Sequence, residues 1–149
     1  MLVRLLYASK AVDDVSQEEL VSIMMQSKAH NPESGITGVL CSSGNIFLQL
    51  LEGGRMQVNA LYNHIAADPR HNDVVILSYE EISERKFASW SMGLVRLERV
   101  NPSVLLKYSE SATLDPYAVS GRASMALFDE LMATASIMGQ ADFSTSAPR

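Results

Sequence analysis

The sequence predicts an α+β sandwich of order βαββαββ. Short runs alternate apolar and polar residues at the two-residue period of a strand, and two longer segments between them carry apolar residues at helical spacing. Cap, turn and proline residues stand at the junctions. With 149 residues and 47% hydrophobic composition, the chain can bury one core and carry an extension.

Leu2 to Ser9 places Val3, Leu5 and Tyr7 on one strand face and Leu2, Arg4 and Leu6 on the other. Ser16, followed three residues later by Glu19, has the form of a capping box. Leu20, Ile23, Met24 and Ser27 then recur at helical spacing until Asn31 meets Pro32. Gly35 to Cys41 and Ile46 to Glu52 read as a hairpin joined by Ser-Ser-Gly-Asn. A second helix carries Val58, Leu61, Tyr62 and Ile65 and stops at Asp68-Pro69. Strands at Asp73 to Ile82 and Trp90 to Leu97 complete the order.

That order is the ferredoxin-like sandwich, a five-stranded mixed and mostly antiparallel sheet with two helices on one face. In the third strand Ile46, Leu48 and Leu50 point opposite to Phe47, Gln49 and Leu51, so the helix-free face is apolar too and needs a cover. A two-helix C-terminal cap supplies it. Pro102 to Tyr108 is a short helix, and Asp115-Pro116 is an N-cap and first-turn proline for a helix bearing Met125, Phe128, Leu131, Met132 and Ala135. The expected organisation is a sandwich over 1–100, a cap over 101–139 and a disordered polar tail over 140–149.

A net charge of −5 disfavours a nucleic-acid partner, which would need a basic footprint. Three histidines and the single Cys41 leave no disulfide framework and no Cys-rich zinc site, and fit a reducing compartment, the cytoplasm. No metal is expected. Met1 leads at once into strand-like LVRLLY, without a charged leader or a long apolar run, so neither secretion nor a membrane span is indicated.

Gln49, inside the apolar run IFLQLLEG, is the residue that most needs explaining. Its buried amide costs about 1–3 kcal/mol if left unpaired, and a core glutamine bonded to backbone is the commonplace alternative to a functional one. Tyr7 falls on the same face in an adjacent strand, where a phenol and an amide can meet. Ser27, His30 and Asn31 end the first helix and either line a slot between the helices or simply terminate it. Trp90 and Met92, in WSMG, share a strand face by period two and could merely fill core volume. Asp68-Pro69-Arg70-His71 offers a cation and an imidazole to a phosphate, or decorates a turn. Gly35-Ile36-Thr37-Gly38 lacks the spacing and setting of a phosphate loop.

Taken together, these segments resemble the BLUF family, the flavin-binding sensors of blue light. The resemblance runs from about Leu2 to Val100 through the strand tyrosine, His30-Asn31-Pro32 before Gly35-Ile36-Thr37-Gly38, FLQLLEG, ADPRH and WSMG, in that order. LLKYSESATLDP further resembles the cap of the short, PixD-type members. The resemblance implies noncovalent FAD, with FMN or riboflavin as possible substitutes, between the two helices. Gln49 would bridge Tyr7 and the ring, and Asn31 would hold its C4 carbonyl and N3 edge. His30, Ser27 and Ile23 match ring-lining positions, and Arg70 and His71 match the ribityl or phosphate end. His64 departs from the arginine that related members can place near the ring's O2.

The family mechanism implies electron transfer from Tyr7 and proton transfer by way of Gln49, after which the rearranged amide shifts the flavin absorption slightly to the red. No substrate is turned over, so a photoreceptor and not an enzyme is expected. Output is expected through the fifth strand to the cap, with Trp90 and Met92 as intermediaries, and then to a separate protein. A response regulator or cyclic-dinucleotide phosphodiesterase, and a homo-oligomer, follow by family analogy. An acylphosphatase-like hydrolase shares the frame, but Ser9 to Asp14 supplies neither the glycines nor the positive charge of a phosphate loop. An RNA-binding module would need sheet aromatics and a basic surface.

Overall fold

The computed structural model describes residues 1–12, 16, 18–19, 22, 34–134 and 137. Its elements are β1 (Leu2–Ala11), β2 (Thr37–Ser43), β3 (Ile46–Gly54), α1 (Arg55–Ala66), β4 (His71–Ile82), β5 (Gly93–Arg96), a 3₁₀ turn at Leu97–Arg99, α2 (Pro102–Leu106) and α3 (Gly121–Ala133). The five strands lie in the order β4-β1-β3-β2-β5. All neighbours are antiparallel except β2 and β5, which makes the sheet mixed. This is the expected ferredoxin-like frame with one strand added beside β2. The predicted first helix falls mostly outside the described residues, but Ser16 Oγ accepts from Glu19 N at 3.1 Å, as its capping signature requires.

Period-two alternation divides the buried residues between two cores. Val3, Leu5, Tyr7, Leu40, Phe47 and Leu51 face α1 with its Val58 and Ile65. Leu6, Ala8, Val39, Cys41, Leu48 and Leu50 face the other way, against Leu105, Leu114, Leu127, Phe128 and Leu131 of the cap. β1 and β3 are therefore covered on both sides and read as continuous apolar runs. β4 is an edge strand and is mostly exposed.

The cap departs from expectation in one respect. Asp115-Pro116 does not begin the last helix: Asp115 Oδ1 accepts from Tyr117 N at 3.0 Å in a separate turn. The helix begins at Gly121, where Ser120 Oγ accepts from Ala123 N at 3.0 Å. Two cap signatures stand close together in the sequence, and the second has the apolar stripe directly behind it. Gly38 also has a packing reason, since a Cβ there would lie 1.9 Å from the Leu50 carbonyl oxygen.

Candidate functional site

Antiparallel pairing sets Tyr7 of β1 directly opposite Gln49 of β3, and Gln49 opposite Leu40 of β2. All three side chains are fully buried on the α1 side of the sheet. The Tyr7 hydroxyl donates to Gln49 Oε1, and Gln49 Nε2 donates to the Met92 sulfur at 3.4 Å. These neighbours select one amide orientation. A thioether can only accept, so Met92 requires the NH₂ end and leaves the carbonyl oxygen for the phenol. Burial, reinforced by nearby Tyr62, pushes the Tyr7 phenol far above its ordinary range and keeps its donated proton in place.

The Tyr62 ring meets Tyr7 edge to face, with centroids 5.4 Å apart and planes at 73°. Its position in the α1 stripe identified it as a packing residue, and the stripe alone carried no signal that it would touch the candidate phenol.

Trp90 and Met92 do not share a face. Met92 is buried with Tyr7 and Gln49, whereas Trp90 packs into the cap-side core beside Phe87, 6.0 Å between ring centroids. The expected alternation fails because β5 starts only at Gly93, and the residues before it form bends and a turn. Trp90 Nε1 is buried and has no hydrogen-bond partner among the described residues.

The expected phosphate-end residues Arg70 and His71 differ in exposure. His64 and Arg70 are exposed and border an open cleft of about 420 Å³ with Ala67, Asp68 and Pro69. Arg70 grips Asp68 through Nε at 2.9 Å and a terminal nitrogen at 2.6 Å. Those side-chain bonds are the main reason the Asp68 carboxyl titrates at about 2. His71, by contrast, is buried. Its Nε2 donates to the Ile65 carbonyl at 2.6 Å, which leaves Nδ1 to accept from Ser9 Oγ at 3.0 Å. Both ring nitrogens are thus committed inside the protein, and His71 ties β4 to β1 and α1. Sequence spacing could not reveal this, because Ser9 lies 62 residues earlier, with β2, β3 and α1 between. Ile23, Ser27, His30 and Asn31 lie outside the described residues.

The residues described on the α1 side of the sheet suit a flat, partly polar cofactor. The sheet surface and the α1 face there are apolar, and the one buried side-chain amide among the described residues has only a weak acceptor, sulfur, on its nitrogen. That leaves the Gln49 NH₂ with donor capacity for a ring carbonyl. Among the described residues no group of His, Cys, Asp or Glu is placed to hold a metal, and no helix is long and apolar enough to cross a membrane.

The family model for sensors of blue light using FAD matches residues 2–93. The blue light- and temperature-regulated antirepressor BluF of Escherichia coli strain K12 is 35% identical over 97 residues, which is 65% of this chain and 24% of that protein. The photoactivated adenylate cyclase subunit alpha of Euglena gracilis is 40% identical over 88 residues, 59% of this chain and 9% of its own. The chain therefore spans a quarter or less of these relatives. Among solved structures, the photo-activated state of BlsA superposes with a TM-score of 0.78 at 31% identity, covering 89% of this chain and 95% of that one. The dark state of BlrB, a BLUF protein, gives 0.70 at 32%, covering 90% and 96%. The hydrolase alternative finds no support in these relationships. A match across most of the sandwich, with a paired phenol and amide at its centre, leaves one conclusion: the chain belongs to the BLUF family of blue-light sensors, and its cofactor is a flavin.

Proposed function

We propose that this chain is a photoreceptor in which Tyr7 and Gln49 form a light-driven hydrogen-bond switch beside FAD, read by Met92 and passed through the cap to a separate protein. The observation that carries the reading is the buried chain Tyr7–Gln49–Met92, in which the amide has one orientation satisfying both neighbours. A bound flavin supplies the absorption of blue light and, once excited, the pull that draws an electron from a nearby phenol. Tyr7 is the phenol of this site, and its proton already points at Gln49 Oε1. That proton would pass to Gln49 and, once electron and proton have returned to Tyr7, leave the amide rotated or tautomerised, which changes what its other end offers to the ring and to Met92. No bond to a substrate is made or broken, so the chain is read as a sensor and not as an enzyme.

Gln49 and Met92 lie on the sheet side facing α1, while Trp90 and the cap lie on the other. The route to the cap therefore runs through the chain segment between Phe87 and Gly93. The relatives' names point to outputs of several kinds, an adenylate cyclase among them, and FMN and cyclic diGMP appear in the structure of Klebsiella pneumoniae BlrP1. For this chain the proposed receiver is a separate effector, a response regulator or cyclic-dinucleotide phosphodiesterase, or a second copy in an oligomer, within the cytoplasm. The residues proposed to complete the flavin site are Ile23, Ser27, His30 and Asn31, with Arg70 and His64 at the outer cleft.

The decisive test is spectroscopic. Purified protein is expected to be yellow with noncovalent oxidised flavin, and blue light is expected to give a small red shift that reverses in darkness. A colourless protein that takes up none of FAD, FMN or riboflavin overturns the proposal. Met92→Ala is expected to keep the red shift but weaken any light-dependent change in elution or partner binding, because the thioether is neither electron donor nor amide. It is also expected to alter the dark-recovery rate, since the sulfur that selects the amide orientation is gone. Unchanged recovery and unchanged light-dependent elution would remove Met92 from the route.

A further inference from the structure

Glu52 lies on the same strand as Gln49 but faces the cap side, and it is 0% exposed. Three donors converge on its carboxylate. Arg4 Nε and Lys86 N reach Oε2 at 2.7 and 3.1 Å, and Phe87 N reaches Oε1 at 2.8 Å. A fully buried carboxylate is retained only where charge and lone pairs are answered in this way. Two of the three bonds go to consecutive backbone amides of a segment with no strand ladder of its own.

That segment, 83–92, consists of bends and a turn, yet it carries Phe87, Trp90 and Met92. Beyond the carboxylate, its path is fixed by Trp90 N donating to Phe87 O at 3.2 Å and by Gly38 N donating to Trp90 O at 2.9 Å. Two residues later the Met92 sulfur meets the Gln49 amide. On the cap side, Phe87 packs edge to face on Phe128 at 6.1 Å, and Lys86 Nζ lies 3.4 Å from Asp129 of α3. Glu52 therefore grips the segment at the point from which one arm runs to Met92 and another to the cap.

We propose that Glu52 is a positioning residue for the photoresponse: its carboxylate holds segment 83–92 in the conformation that sets the Met92 sulfur against the Gln49 amide. The proposal rests on the photosensor reading of Tyr7 and Gln49. Because Glu52 and Gln49 belong to one strand, the switching amide and the segment that reads it are registered to the same rigid frame. Loosening the grip frees Met92, weakens the selection of one amide orientation, and so changes how fast the light-induced arrangement relaxes.

The test uses the full, flavin-loaded chain carrying Glu52→Gln. A glutamine keeps one accepting oxygen but turns an NH₂ toward donors, so at least one of the three bonds is lost. Amide hydrogen exchange at Lys86 and Phe87 is expected to accelerate by about tenfold, the weight of one hydrogen bond to a charged group. The dark flavin spectrum and the size of the red shift are expected to stay, while the dark-recovery rate changes by about threefold or more. If Glu52→Gln does not fold, the double variant Arg4→Gln with Glu52→Gln leaves no unpaired charge from the Arg4–Glu52 pair and is read in the same way. Unchanged exchange at the two amides overturns the grip, and faster exchange with unaltered recovery overturns the positioning role. Absence of any red shift in the unsubstituted chain overturns the photosensor reading and this role with it.

Discussion

Replacing Gln49 by leucine is expected to abolish the light-induced red shift while leaving flavin bound. Gln49 is fully buried among Leu40, Leu51 and Phe47, where an apolar side chain of similar size fills its place. The change removes both the acceptor for the Tyr7 hydroxyl and the donor to Met92, so no amide remains to rearrange. It also leaves the buried phenol without its partner, at a cost of about 1–3 kcal/mol in stability. Tyr7→Phe in the same chain should recover much of that loss, because apolar groups then replace both partners. Absorption spectra before and after blue light, with thermal unfolding of the single and double variants, provide the check. A full reversible shift in Gln49→Leu would remove the amide from the switch.

Deletion from Pro102 onward is expected to make the remaining sandwich aggregate. Leu6, Leu48, Leu50, Phe87 and Trp90 form one face of a core whose other half is Leu105, Leu127, Phe128 and Leu131. Without the cap that face becomes an apolar patch larger than soluble monomers tolerate. The cap is part of the core it covers, so residues 1–100 are not expected to behave as an independent domain. A milder probe is Phe128→Ala, which truncates a fully buried ring and should cost about 3–5 kcal/mol. Size-exclusion chromatography of the deletion and denaturant unfolding of Phe128→Ala test both expectations. A well-behaved monomer with a normal light response after deletion would show that the cap is dispensable.

The central pair was legible because strand periodicity is local: Tyr7 and Gln49 fall on the same face of their strands, and the pairing of β1 with β3 sets them opposite each other. The sides taken by Trp90 and Met92 were not legible. Their segment follows no period, and its shape is imposed by Glu52, many residues away in sequence. Glu52 did leave a trace: it stands in the same apolar run as Gln49 and opposite Arg4, which is also set into an apolar strand. Reading two charged residues of opposite sign at matching positions of neighbouring strands would have found the pair. The burial of His71 was not legible for a similar reason, since its partners are a side chain in β1 and a carbonyl in α1.

The strand order also constrains when the protein can acquire its structure. β1 precedes both of its sheet neighbours in the chain, yet it lies between β3 and β4, and its pairing joins Leu2 to Gly54 on one edge and to Ile82 on the other. A nascent chain therefore carries Val3, Leu5, Leu6 and Tyr7 unpaired until most of the sandwich has left the ribosome. Such long-range pairing makes for slow folding and a period of exposure to wrong partners. The arrangement of Tyr7, Gln49 and Met92 cannot exist until the segment that carries Met92 has been made.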